Sequence, residues 1–191
     1  MPRSDSGESR RVEFEAAALP HLEHLYGSAF YLCGDRDRAA DLVQETMLRA
    51  FRFFHQFEAG TNCRAWLLTI LHNTFRNLYR AGRRERAQVD IDEPGTAREA
   101  SEASGADDNP ESLVLGEVMD QEVVQALEEL PEEFRSAIVL VDLQELTYEE
   151  GARALGCPIG TVRSRLSRGR RLLAAKLAAF ARERGMLRSR R

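Results

Sequence analysis

The sequence predicts an all-α protein: two small helical domains joined by a flexible acidic linker. Three observations carry this. Apolar residues recur at spacings of three, four and seven at both ends of the chain, helix start and stop signals stand at matching places, and residues 87–112 between them hold almost no large apolar side chain. The expected layout is a disordered N-terminus over 1–12, a first domain over 13–86, the linker over 87–112, a second domain over 113–182 and a basic tail over 183–191. At 191 residues and 43% hydrophobic content the chain can bury a core.

From Phe14 to Cys33, Leu19, Leu22, Leu25, Ala29 and Leu32 keep helical spacing, and Gly34 supplies the stop. Asp35 caps a second helix whose Ala39, Val43, Met47, Ala50 and Phe54 make the buried stripe, which leaves Asp41, Gln44, Glu45 and Arg49 on other faces. HQFEAGTNC, residues 55–63, reads as a loop in which Asn62 caps a third helix, RAWLLTILHNTFRNLYRAGRR, ending near Gly82. Leu67, Ile70, Leu71, Thr74 and Leu78 form its core side, while Thr69, Asn73, Arg76, Asn77 and Arg80 line another face. After the linker a helix runs from about Leu113 to Glu129, with Val114, Val118, Val124 and Leu127 available to pack. LPEEF restarts helix at Pro131, where Glu132 and Glu133 complement the positive helix end. Phe134, Ala137, Ile138 and Val141 keep helical spacing, so IVLV reads as helix despite a composition that suits a strand.

Leu146 to Leu177, LTYEEGARALGCPIGTVRSRLSRGRRLLAAKL, carries the strongest functional signal. Thr147 and Glu150 have the spacing of a capping box, Gly156 closes the short helix they open, and Pro158 suits the first turn of the next. That is a helix-turn-helix. In the second helix Val162, Leu166, Leu173, Leu177 and Phe180 form the core stripe, and Arg163, Ser164, Ser167, Arg168 and Arg171 fall largely off it. A solvated amphipathic helix carries charges too, but here the turn chemistry and the one-signed face coincide. One face is core and the other faces an anion. The third helix offers a second nucleic-acid pattern: amides and guanidiniums on one face, with Phe57 and Trp66 nearby, suit unstacked bases. Trp66 is as well explained by the core; Phe57, in a loop, is less so.

The net charge of −4 hides an uneven distribution. From Cys157 onward eleven basic residues face Glu183 alone, whereas from Gln88 to Glu122 eleven acids face Arg98 alone. The C-terminal part attracts nucleic acid and the middle repels it. No apolar run reaches the roughly 18–20 residues needed to span a bilayer, and the start lacks the apolar core of a signal peptide, so a cytoplasmic protein is expected. Cys33, Cys63 and Cys157 are too far apart for a CxxC metal site. His21 and His24 lack an accompanying carboxylate or cysteine pattern and read as surface histidines, with His55 and His72 equally isolated. No metal or other cofactor is expected, and no catalytic triad, phosphate-binding glycine loop or HExxH motif argues for an enzyme.

Taken together, DLVQETMLRAFRFFHQF, GTNCRAWLLTILHNTFRNLYR, the acidic linker and LPEEFRSAIVLVDLQELTYEEGARALGCPIGTVRSRLSRGRRLL resemble an extracytoplasmic-function (ECF) sigma factor, over roughly residues 14–180. Such proteins keep only regions 2 and 4 of the bacterial sigma family. The resemblance implies a non-enzymatic partner of core RNA polymerase that recognises a promoter and helps open it. It implies that Asp41, Gln44, Glu45 and Arg49 dock on the clamp helices of the β′ subunit. It implies that Phe57, Gly60, Thr61, Asn62, Asn73, Asn77 and Arg80 read the −10 element, with a base flipped into a loop pocket. Arg163, Ser164, Ser167 and Arg168 are the implied major-groove readers of the −35 element, with Thr161 and Arg165 on its backbone. Arg170 and Arg171 serve DNA or the polymerase β flap, and the linker lies where nascent RNA or template would run. FHQFEAGTN and NTF further resemble the subgroup answering to zinc-binding, thiol-sensitive anti-sigma proteins, so an anti-sigma partner is expected. Two competing readings stay open at this point: an operator-binding regulator that acts without polymerase, and a metal or thiol enzyme built on His21, His24 and the cysteines.

Overall fold

The computed structural model describes residues 5–92 and 121–183. The described residues form helices and short helical turns: α1 (Asp5–Ala18), α2 (Leu22–Cys33), α3 (Arg36–Phe53), α4 (Cys63–Asp92), α5 (Gln121–Glu128), α6 (Glu132–Ala137), α7 (Tyr148–Leu155) and α8 (Ile159–Glu183). Helix begins at Asp5, within the stretch expected to lack order. Pairs four residues apart, Ser9 to Glu13 and Arg11 to Glu15, support it, and Arg10 anchors it by donating to the Phe51 and Arg52 carbonyls at 2.8 and 2.9 Å. The helix expected from Phe14 to Cys33 is instead two, because Pro20 has no amide to donate; the chain takes a 3₁₀ turn over Leu19–His21 between them. Asp35 caps α3 by accepting from the Arg38 amide at 2.8 Å, as its position predicts.

The third helix overruns its expected stop, passing through Gly82 to Asp92. A glycine inside a helix costs only about 1 kcal/mol, and the arginine, glutamate and alanine around it are good helix formers. Val114 and Val118 lie outside the described residues, as does most of the linker. Past α6 the IVLV run is neither strand nor regular α-helix. It widens into a π turn over Ile138–Leu143, with Gln144 N–H bonded to the Val139 carbonyl at 3.0 Å. Against this turn α8 crosses closely at Gly169: a methyl group there would lie 3.0 Å from Ile138 Cδ1 and 3.2 Å from Phe134 Cβ. Glycine at 169 therefore sets the crossing distance, a feature that the apolar stripe of α8 skips.

The two halves pack directly against one another. Leu25, Leu32, Leu42, Leu67, Leu68 and Leu71 from the first half share one continuous apolar cluster with Leu127, Ile138, Leu140, Leu155, Val162 and Leu166 from the second. Arg135 of α6 crosses the seam. Its guanidinium donates to the Leu32 carbonyl at the end of α2 at 2.6 Å, and to the Glu128 carbonyl at 3.1 Å, while its side chain is buried. A cation at the negative end of α2 also gains from the helix dipole. Truncation as Arg135→Ala leaves those carbonyls without their charged donor. It should cost about 2–4 kcal/mol in urea unfolding, and Arg135→Lys, which lacks the fork, should recover only part of that.

Candidate nucleic-acid interface

The helix-turn-helix forms as its sequence dictates. Thr147 Oγ1 accepts from the Glu150 amide at 3.2 Å, while Glu150 Oε2 accepts from the Thr147 amide at 2.9 Å. Gly156 closes α7 in the left-handed conformation, φ 61°, which an L side chain adopts only with strain. Pro158 then opens α8 by accepting from the Thr161 and Val162 amides. Val162 and Leu166 are buried and Leu173 and Leu177 half-buried, so the stripe faces inward; Phe180 lies outside the described side chains. Arg163, Ser164, Ser167, Arg168 and Arg171 stand exposed on the opposite face. Ser164 donates its hydroxyl to the Thr161 carbonyl at 2.9 Å, so its oxygen stays free to accept from a base edge.

Arg165 behaves differently from its neighbours. Expected on the DNA backbone, it is half-buried and turned inward, 3.3 Å from Glu133 and 3.6 Å from Cys157 Sγ. Arg170 makes a bidentate pair with Asp142 at 2.9 and 2.6 Å, which holds its guanidinium protonated well above the usual arginine range. Lys176 pairs with Glu129.

In the first half the loop before α4 is more structured than a free reading surface. Phe57 packs with its ring centroid 5.8 Å from Phe54, nearly parallel, and 5.2 Å from Trp66. Phe54 in turn meets Phe14 edge-on at 5.3 Å. Phe57 is therefore part of an aromatic cluster that backs the loop, although its place in a loop argued against a core role. Gly60 turns the chain at φ 88°, and Thr61 donates its hydroxyl to the Glu58 carbonyl at 2.7 Å. Asn62 caps α4 through the Ala65 amide at 3.1 Å, as read from sequence. Its other end donates to Glu150 Oε1 at 2.8 Å, across the seam. Burial alone would raise the Glu150 carboxyl, but hydrogen bonds from the Thr147 backbone, from Asn62 and from the Thr147 hydroxyl hold it below the ordinary range. Asn73 and Asn77 are exposed one turn apart on α4, and the Arg80 side chain lies outside the described set. Leu78, expected in the core, is 54% exposed, because α4 there has run past the helices that cover it.

His72 corrects a sequence expectation. Read as an isolated surface histidine, it is buried where α4 meets α7, and its Nδ1 donates to the Ala154 carbonyl at 3.0 Å. Nε2 has no hydrogen-bond partner among the described residues. It borders a polar cavity of about 210 Å³ lined also by Arg76, Glu132, Glu133, Ser136, Cys157 and Arg165. Burial, with help from Arg76 and Arg165, pushes the imidazole down to about 4, against a weaker opposing pull from the Ala154 bond. At neutral pH the ring is uncharged.

On α3, Asp41 and Gln44 are exposed, and Glu45 pairs with Arg49 at 2.6 Å. Sequence reasoning missed Leu48 and Phe51, which are 54% and 37% exposed and follow Asp41 and Gln44 at helical spacing. A lone apolar residue among polar positions on a helix face was the available signal. All three cysteines are half-buried; burial pushes the Cys33 thiol up to about 11 and raises Cys63 as well, so neither favours the reactive thiolate. His21 is lowered by burial and by neighbouring His24. Among the described residues no group of three His, Cys, Asp or Glu is placed to hold a metal ion, and no helix is long and apolar enough to cross a membrane.

Known proteins match both halves. The family model for Sigma-70 region 2 matches residues 18–85, and that for Sigma-70, region 4 matches residues 120–173. The ECF RNA polymerase sigma factor EcfG of Rhodopseudomonas palustris is 40% identical over 161 residues, 84% of this chain and 81% of that protein. The ECF RNA polymerase sigma-E factor of Escherichia coli K12 is 38% identical over 185 residues, covering 95% and 94%. Among solved structures, the sigma factor RpoE in complex with the anti-sigma factor NepR from Bartonella quintana shares 34% identity with a TM-score of 0.67, over 87% of this chain and 97% of that one.

The buried histidine makes the seam between the halves pH-dependent. A group whose folded value is depressed from 6.5 to about 4 contributes nothing adverse above pH 6.5, and weakens the packed state as pH falls from there through 4. The shift corresponds to about 3 kcal/mol at the acid end. Thermal unfolding between pH 7.5 and 4.5 should therefore lose stability less steeply for His72→Leu than for the unmodified chain, the difference isolating the imidazole from the carboxylates that also titrate there.

Proposed function

Because the chain belongs to the ECF family of RNA polymerase sigma factors, we propose that it directs core polymerase to promoters by reading two elements with its two halves. It is an alternative sigma factor and not an enzyme. In this reading the exposed α3 face of Asp41, Gln44, Glu45 and Arg49, extended by Leu48 and Phe51, docks on the β′ clamp helices, an apolar centre with charged surroundings. Asn73 and Asn77, with the loop from Phe57 to Asn62 and with Arg80, take the −10 strand once it is unstacked. Flipping a base out costs a few kcal/mol, so a loop that binds it well couples recognition to melting. Arg163, Ser164, Ser167 and Arg168 enter the major groove at the −35 element, and Thr161 supports the backbone. The single observation that carries the region 4 part is the helix-turn-helix, which leaves those side chains exposed on one face of α8. Arg165, held by Glu133, reaches phosphate only by leaving that partner.

Reading both elements requires the halves to part. Elements centred at −35 and −10 are about 25 base pairs, roughly 85 Å, apart at 3.4 Å per pair. A compact chain of this length is only about 40 Å across. The packed arrangement also engages Asn62, a −10 candidate, with Glu150 of the helix-turn-helix. Polymerase binding supplies the free energy that separates them. The relative solved with an anti-sigma factor supports a regulator of the same kind here, which keeps the chain from polymerase. The FHQFEAGTN and NTF segments favour a zinc-binding, thiol-sensitive member of that class, and partner and polymerase both act in the cytoplasm. The acidic linker passes where nascent RNA would run.

Run-off transcription with purified core enzyme on a promoter library is the decisive test: specific initiation is expected, and a chain that shifts duplex operator DNA without polymerase would instead be a conventional regulator. Arg168→Ala should lose about 1–3 kcal/mol of −35 discrimination if its contact is bidentate. Asn73→Ala should slow promoter opening and be rescued on pre-melted templates; failure of the rescue removes that asparagine from strand capture.

A further inference from the structure

Tyr148 is the first residue of α7, directly after the Thr147 cap, and its ring is partly exposed beside the outward face of α8. The Arg163 guanidinium carbon lies 5.5 Å from the centre of that ring, inside the range in which a cation is attracted to an aromatic face. The backbone that carries the ring is fixed from both sides. The reciprocal Thr147 and Glu150 hydrogen bonds hold the first turn of α7, and buried Gly151 seats that turn against Val141. Two turns along α8 from Arg163, on the same face, Arg170 is clamped by Asp142 and also hydrogen-bonds the Tyr148 hydroxyl, which helps to hold the ring in place. The ring therefore stands on a rigid base, whereas Arg163 is a long side chain that would otherwise sample many rotamers in water.

We propose that Tyr148 is a positioning residue for −35 recognition: its ring holds Arg163 extended from the recognition helix before DNA arrives, and base discrimination by Arg163 depends on it. The inference rests on the reading of α8 as the −35 helix. An arginine that must be immobilised on binding loses conformational freedom; one already laid on a ring has lost part of it beforehand. The benefit is confined to whatever base pair Arg163 reads, because Ser164, Ser167 and Arg168 do not touch the ring in any contact described. Tyrosine's ring supplies the attraction to Arg163, so phenylalanine would serve there, losing only the hydroxyl's contact with Arg170, and an aliphatic residue would not.

The test uses the polymerase holoenzyme on a set of promoters in which each −35 base pair is changed in turn, with Tyr148→Phe, Tyr148→Leu, Arg163→Ala and the Tyr148→Leu/Arg163→Ala double variant. Arg163→Ala first identifies the base pairs it governs. At those pairs Tyr148→Leu should reduce discrimination by about 2- to 5-fold, the range for an exposed cation–π contact, and leave the other pairs unchanged. Tyr148→Phe should keep discrimination, and in the double variant the leucine should add nothing to the loss from Arg163→Ala. Equal loss at every base pair, independent effects in the double variant, or equal damage from Phe and Leu would each overturn the proposal. Absence of any −35 preference in the unmodified holoenzyme would remove the −35 reading itself; a preference that Arg163→Ala leaves untouched would remove only this inference. Matched thermal unfolding of Tyr148→Leu and the unmodified chain excludes a loss through misfolding.

Discussion

The arrangement of this molecule depends on a buried guanidinium. Arg135 lies in α6 and yet satisfies a carbonyl at the end of α2, 103 residues earlier in the chain. Burying an arginine without partners is costly, so its position fixes where α2 can end relative to α5 and α6. Gly34, which ends α2 in the left-handed conformation, sits beneath the Glu128 side chain so closely that a Cβ there would overlap it. The end of α2 and the α5 to α6 corner are thus a shaped contact, continued along α4 and α7 by His72, Asn62 and Glu150. Polar contacts therefore line this seam beside the apolar cluster that the two halves share.

These polar contacts suit a junction that, in the proposed mechanism, also comes apart. A seam of buried hydrocarbon exposes its whole area to water on opening, at about 25 cal/mol per Å². Carbonyls, an imidazole and an amide recover hydrogen bonds to water instead, so their net contribution per bond is only about 1 kcal/mol. The polar cavity beside His72 works in the same direction, since it already admits polar contact at the seam. Leucines of both halves still meet in the common cluster, so the seam has an apolar floor beneath its polar rim.

Local chemistry was legible in the sequence; contacts over long separations were not. The capping box at Thr147 and Glu150, the Gly156 stop, the Asp35 and Asn62 caps and the inward stripe of Val162 and Leu166 depend on residues within a turn or two, and each forms as read. His72 went unrecognised because its partner, the Ala154 carbonyl, is 82 residues away and carries no sequence signature. The ring contacts of Phe57 were not legible for the same reason: a loop position says nothing of Phe54 stacked on it or of Trp66 tilted against it. Leu78 kept perfect helical spacing, yet among the described residues it stands exposed. Periodicity reports which side of a helix is apolar, and how far along the helix a partner extends is a tertiary property. The exposed arginine-bearing face of α8 and the exposed amides of α4 could be placed from the sequence, whereas the contact between the two halves through Asn62 and Glu150 could not.

Charge distribution fits the proposed role of the chain as a polymerase subunit. The chain as a whole carries −4, and its positive charge is concentrated on α8 and beyond, where eleven basic residues face one acid. Of the arginines on α8, Arg165 and Arg170 are engaged with Glu133 and Asp142, whereas Arg163, Arg168, Arg171 and Arg182 are exposed. Non-specific affinity grows with the number of phosphates neutralised, so Arg165 and Arg170, each held by a carboxylate, add less to it than the exposed arginines do. Phosphate contacts carry no sequence information, so in the proposed mechanism the choice of promoter falls to base-edge contacts from the exposed face of α8. Polymerase then supplies the general affinity, and the chain supplies the choice of sequence.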